Sequence, residues 1–197
     1  MRDLAASARI TSLKTATQLH GMRDRFTARG ALLRLYNALD VARTASAKGE
    51  ALESLARYLL DRVRGLRVVR RRLRTSSSEI DLVVEIVPTR PASTFEEFGR
   101  YILVECRNWI APVRAKDVRD FVGKLSKSKT RLGIIFARSG VTGRRGDTDA
   151  WRETRIAFHT SDIVVLVVTD DDLRSMAEGA EFAAILAQKL FDFRFDR

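Results

Sequence analysis

Glu79-Ile80-Asp81-Leu82-Val83-Val84-Glu85-Ile86-Val87 and Tyr101-Ile102-Leu103-Val104-Glu105-Cys106-Arg107 are two apolar runs, each broken by acids. With a period of two, Ile80, Leu82, Val84 and Ile86 share one face of a strand and leave Glu79, Asp81, Val83 and Glu85 on the other. The second run divides the same way, with Ile102, Val104 and Cys106 opposite Tyr101, Leu103, Glu105 and Arg107. A carboxylate on a half-buried strand costs free energy unless a cation, a hydrogen-bond network or solvent compensates it. If the two strands are neighbours, Asp81, Glu105 and Arg107 share one face, as two carboxylates and a fixed cation. Hard oxygen ligands of this sort suit Mg2+, which takes one or two carboxylates together with waters and substrate phosphates. The pattern leaves one alternative open, a polar sheet edge in which Asp81 and Glu105 pair with Arg70, Arg72 or Arg107.

Upstream, Leu66 to Arg74 reads as a strand and Thr75-Ser76-Ser77-Ser78 as the turn that joins it to Glu79–Val87 in a hairpin. Before it, Leu52, Leu55, Ala56, Leu59, Leu60 and Val63 form the stripe of an amphipathic helix running from Gly49 and closed by Gly65. Residues 88–99 read as a loop. Downstream, a helix follows Pro112 to about Ser128, with Val118, Phe121, Val122 and Leu125 buried and Lys116, Arg119, Lys124 and Lys127 elsewhere on its surface. A strand (Leu132 to Ala137), a glycine-rich loop, a helix from about Asp149 to Phe158, a strand (Ile163 to Val168) and one final helix complete the chain. The last two strands lack alternation, as central strands covered on both faces do. The sum is an α/β fold with a central mixed sheet of about five strands flanked by helices. Residues 1–48, with nine basic and three acidic residues, read as a basic helical N-terminal extension to a domain spanning 49–197.

The 197 residues include 36 Lys and Arg against 25 Asp and Glu, a formal net charge of +11 that marks a binder of nucleic acid or another polyanion. With 45% apolar and 31% charged residues, collagen-like and fully disordered classes are excluded. Cys106 is the single cysteine, so no internal disulfide is available, and its strand position reads as core packing. His20 and His159 have no His or Cys partner at ligand spacing, which argues against a zinc site. Gly140 to Gly146 lacks the Gly-Lys-Ser/Thr of a P-loop, and Asp170-Asp171-Asp172 reads as a helix N-terminus. The single cysteine fits a reducing compartment, and no stretch approaches the roughly 20 apolar residues of a spanning helix, so a cytoplasmic protein with no membrane partner is expected.

Four segments, Gly49–Leu60 (GEALESLARYLL), Glu79–Val84 (EIDLVV), Leu103–Trp109 (LVECRNW) and Val118–Leu125 (VRDFVGKL), resemble the Mrr-like branch of the PD-(D/E)xK nucleases, in the order of that superfamily's αβββαβ core. The resemblance covers Gly49 to Asp172. It implies a restriction-endonuclease-like fold and Mg2+-dependent hydrolysis of DNA phosphodiesters, with Mn2+ able to substitute, in restriction or genome defence. Asp81 and Glu105 match the metal ligands and Glu53 the helix acid that supports a metal-bound water; by spacing alone, Glu53 also suits an ion pair with Arg57. One position departs from the pattern. The usual lysine two residues after the strand glutamate is Arg107, which stays charged and cannot serve as a general base, although its guanidinium can hold a phosphate oxygen. Either the chain cuts DNA with this substitution, or it is a weakened or inactive DNA-binding or scaffold subunit. A nuclease for branched or RNA-containing substrates is a further alternative. Lys116, Lys124 and Lys127 are placed for phosphate contacts, and cutting two strands calls for a homodimer, a larger assembly or a defence complex.

Overall fold

Thr44 opens the first long helix of the domain by accepting a hydrogen bond from the backbone N–H of Ala47 at 3.1 Å, a side-chain N-cap. The helix therefore begins at Ala45, four residues earlier than the apolar stripe indicates, and Gly49 lies inside it. A computed structural model describes residues 29–75, 78–107, 111–142 and 150–196. In chain order these form α1 (29–41), α2 (Ala45–Leu60), β1 (Leu66–Arg74), β2 (Glu79–Ile86), a 3-10 turn (Glu96–Phe98), β3 (Tyr101–Arg107), α3 (Ala115–Lys127), β4 (Leu132–Ala137), α4 (Ala150–Ser161), β5 (Val164–Val168), α5 (Asp170–Glu178) and α6 (Phe182–Arg194). Residues 1–28, Trp109, Arg144 and Arg145 lie outside the described residues.

The strands form one mixed sheet in the order β1-β2-β3-β4-β5. β1, β2 and β3 are antiparallel neighbours, whereas β3, β4 and β5 run parallel. The αβββαβ order expected from the sequence is thus the observed one, and the fold is the restriction-endonuclease-like α/β arrangement. The parallel half requires crossovers, which α3 and α4 supply. Both pack on the same face, through Val118, Phe121, Leu125, Ala150 and Ala157 against Val83, Leu103, Ile135 and Val165. Successive crossovers of one hand that advance in one direction along a sheet have this consequence. The opposite face carries Leu82, Val84, Ile102, Val104, Ile134 and Leu166 beneath α1, α2, α5 and α6. Every residue of β4 and β5 is buried, as their unbroken apolar runs require.

Three details differ from the sequence reading. The final helix is two, broken at Gly179 with φ of +121°, where a residue with a Cβ would be strained. Ile80 joins the α3 side of the sheet and not the face of Leu82 and Val84; it lies beyond Leu82↔Val104, the last pair of the β2–β3 ladder that enforces alternation. Helix α1 is docked on the domain, since Leu32 and Leu39 enter the main core, Tyr36 donates its hydroxyl to Asp170, and Asp40 pairs with Arg138 at 2.8 Å. Asp170 does open α5, behind a Thr169–Asp172 capping box, as the Asp170–Asp172 run predicts. Among the described residues no helix is long and apolar enough to cross a membrane.

The seat of α3 on β4 is tight. A Cβ at Gly133 would stand 2.6 Å from Cε1 of Phe121 and 2.7 Å from Cδ1 of Leu125, both buried. Gly133→Ala should therefore lower stability by about 1–3 kcal/mol in urea unfolding, with α3 forced away from the sheet. An unchanged midpoint would mean that α3 does not rest directly on β4.

Candidate active site

The site forms where the β2–β3 ladder stops. Backbone pairing runs from Glu85↔Tyr101 to Leu82↔Val104, and one further step on the same register sets Asp81 opposite Glu105. There the Asp81 carboxylate takes the place of a backbone carbonyl: its Oδ2 accepts the Cys106 N–H at 2.7 Å. The two acids singled out from the strands therefore meet where the ladder ends, with Glu105 turned to the α3 side, the face that also carries Val83 and Leu103.

Glu105 is 4% exposed, and both of its oxygens are held by cations. Oε1 meets Arg107 Nη2 at 2.7 Å, and Oε2 accepts from Lys124 Nζ at 2.8 Å. Lys124 reaches in from α3, one residue before the buried Leu125, and its ammonium also donates to the Glu79 carbonyl at 2.6 Å. Burial pushes the Glu105 carboxyl above its ordinary pKa and the charge of Asp81 pushes it further, with Arg107 and Lys124 working against both. Cys106 is packed in the core on the other face, as the sequence predicts. Its thiol is raised by burial and then by the charges of Asp81, Glu53 and Glu105.

Glu53 reaches this region from α2 and lies among the buried residues. Its partner is not Arg57, which pairs with Asp61 at 3.5 Å. Instead Arg72 Nε lies 3.0 Å and Arg71 Nη2 3.6 Å from Glu53 Oε2. Adjacent strand residues normally point to opposite faces, but Arg72 has φ of +46°, and this left-handed turn brings both arginines to one carboxylate.

Of the residues singled out from sequence, Asp81, Glu105 and Arg107 come together as expected. Lys124 joins them, and so stands apart from the exposed Lys116 and Lys127 that share its helix. Its place beside the Phe121–Leu125 stripe is visible in the sequence; that this flank of α3 lies over Glu105 depends on how the crossover packs. Asp81 and Glu105 are the pair able to offer oxygen ligands to a divalent cation. Among the described residues no group of three or more His, Cys, Asp or Glu side chains is arranged as a metal site.

Comparison with known proteins adds the family. No curated protein matches the chain. Among solved structures, Pyrococcus furiosus SfsA in complex with Ca2+ aligns at 15% identity with a TM-score of 0.37, over 61% of this chain and 55% of that one, so the match spans little more than half of that protein. The restriction endonuclease family Mrr_cat matches residues 44–176, from the Thr44 cap through all five strands and into α5. A match over that much of the chain makes it a member of the Mrr_cat restriction endonuclease family.

Proposed function

We propose that this chain is a Mg2+-dependent DNA endonuclease of restriction or genome defence, cytoplasmic, and working as a homodimer, a larger assembly or a subunit of a defence complex. The observation that carries the reading is the buried Glu105 carboxylate beside Asp81 at the open end of the β2–β3 ladder. Two adjacent hard carboxylates that repel one another fit a divalent cation, which accepts one or two such ligands and fills its remaining positions with water and phosphate oxygen. The chemistry that Mg2+, or Mn2+ in its stead, supplies in such a setting is charge neutralisation at a phosphate and easier deprotonation of water.

The chain's own groups do the rest. Asp81 and Glu105 would hold the cation. Arg107, 30% exposed on its side chain, keeps a permanent charge at the mouth of the site and offers a forked donor to a scissile phosphate. Lys124 supplies beside Glu105 the lysine ammonium that the Glu-x-Arg strand lacks, and would be available to a phosphate oxygen with a cation bound at the carboxylates. Glu53, tied to Arg71 and Arg72, would orient a cation-bound water or complete the outer shell of the cation. The exposed Lys116 and Lys127 are suited to phosphates further along the duplex. A second reading is favoured by the same ion pairs: with both Glu105 oxygens already neutralised by Arg107 and Lys124, the chain is a DNA-binding subunit that keeps the fold without cutting.

Incubation of the pure protein with supercoiled plasmid separates the two readings. Nicking that requires Mg2+ and stops in EDTA is expected of the enzyme; none at any protein concentration is expected of the subunit. Glu105→Gln and Asp81→Asn should abolish nicking and leave the fold intact, and Glu53→Gln should be milder. Loss of one electrostatic donor typically costs about 10²–10³ in rate, so Lys124→Ala and Arg107→Ala should each fall by that order, while Arg107→Lys retains or raises the rate. Full activity of Lys124→Ala would remove it from the mechanism.

The coupling of the two carboxylates has its own readout. Asp81→Asn removes a neighbouring negative charge, so the Glu105 carboxyl, followed by carbon NMR, should titrate at lower pH than in the wild type. Because a raised pKa keeps the proton longer, binding of a divalent cation should weaken on acidification at a higher pH than for an ordinary glutamate. An unmoved Glu105 titration in Asp81→Asn would show that the two acids do not share a site.

A further inference from the structure

We infer that the exposed arginine edge of β1 is a docking surface for the phosphate backbone of duplex DNA, leading that backbone to the Asp81–Glu105 site; the inference rests on the nuclease reading above. β1 reads Leu66-Arg67-Val68-Val69-Arg70-Arg71-Arg72-Leu73-Arg74, five arginines and no acid in 9 residues. It is the outer strand of the sheet, and among the described residues its far edge has no neighbouring strand. From Arg70 to Arg74 every residue is exposed, Leu73 included, so the alternation expected of a strand lying flat on a helix layer is lost and this end of the hairpin stands clear. A register shift between Val68 and Arg70 and the left-handed Arg72 lie in the same stretch. Bulges and left-handed residues re-aim side chains, and they concentrate beside functional sites.

Position decides between docking and a blander role. Charge on an edge strand also deters edge-to-edge pairing, but that purpose is indifferent to where along the strand the charge falls. Here Arg71↔Leu82 and Leu73↔Ile80 bracket Arg72, which places it opposite Asp81 on the side away from β3. The arginine run is thus one strand spacing, about 4.8 Å, from the strand that carries Asp81. Residues 70–74 span about 13 Å at 3.3 Å per residue, a length over which duplex DNA presents several phosphates at one charge per ~1.7 Å of axis. Internal pairing leaves part of the run available: Glu53 engages Arg71 and Arg72, Glu85 engages Arg67, and Glu79 engages Arg74, whose side chain is still 86% exposed. Arg70 donates to the Val69 carbonyl at 2.8 Å and has no carboxylate partner among the described residues. Guanidinium groups that fork onto phosphate suit this better than the ammonium groups common on protected edges.

The test uses the full-length protein and fluorescence anisotropy with a labelled blunt DNA duplex in EDTA, over a salt series, for the wild type, Arg70→Ala/Arg74→Ala, Arg70→Lys/Arg74→Lys and, as comparator, Lys116→Ala/Lys127→Ala. Each lost phosphate contact lowers the slope of log K against log salt by about 0.9, so the Arg70→Ala/Arg74→Ala variant should lose about 2 from its slope, with an unchanged melting curve. The double lysine variant should keep the wild-type slope, which counts the phosphates neutralised, while binding less tightly at each salt concentration for want of the forked geometry. An alanine pair that binds with the wild-type slope, while the wild type binds and cuts DNA, overturns this inference and spares the nuclease reading. A wild type that binds no DNA overturns both. Tighter binding of a duplex RNA of the same length overturns the assignment to DNA.

Discussion

A carboxylate buried next to another carboxylate is a debt in free energy that something positively charged has to cover, and Glu105 beside Asp81 is that situation in this fold. Around this pair the chain has arranged Arg107 on the same strand and Lys124 on the crossover helix, one cation on each oxygen of Glu105. The value of such an arrangement is not stability, because replacing buried ion pairs with apolar side chains is often neutral or favourable. Its value lies in a cluster of fixed charge at the end of a strand ladder.

The scaffold follows from the same constraint. Asp81 reaches Cys106 N–H because the β2–β3 ladder ends at Leu82↔Val104, and the carboxylate satisfies a donor that the ladder no longer serves. Lys124 reaches Glu105 because α3 rests on the sheet through Phe121 and Leu125, whose side chains fill the space left by Gly133. At the other side, α2 brings Glu53 to the left-handed Arg72, which ties the helix to the edge strand. Far from the pair, Arg138, just beyond the end of β4, binds both Asp170 and Asp40 at 2.8 Å and so fastens α1 to the body of the domain.

What can be read in the sequence is what depends on neighbours along the chain. Alternation in Glu79–Val87 and Tyr101–Arg107 marks the strands, and the unbroken runs of β4 and β5 mark strands covered on both sides. The contacts that need tertiary packing are not readable. Lys124 looks like one of three surface lysines because nothing local says which flank of α3 lies over β3. Glu53 suggests a pair with Arg57, four residues on, whereas its partners come from a strand whose left-handed residue is an arginine and carries no glycine or asparagine signal. The docking of α1 joins Tyr36 to Asp170, far apart in sequence, and is beyond any periodicity argument. The break of the last helix is a different case, since Gly179 is a visible stop signal.

Everything proposed for the site turns on whether Asp81 and Glu105 form one cation site that Lys124 and Arg107 neutralise when no metal is bound. Anomalous diffraction from crystals of the wild-type protein grown with Mn2+ measures this most directly. A single strong manganese peak is expected between the Asp81 and Glu105 carboxylates, with the Lys124 ammonium displaced from Glu105. A manganese peak elsewhere on the chain, with the Lys124–Glu105 pair intact, would contradict a shared site.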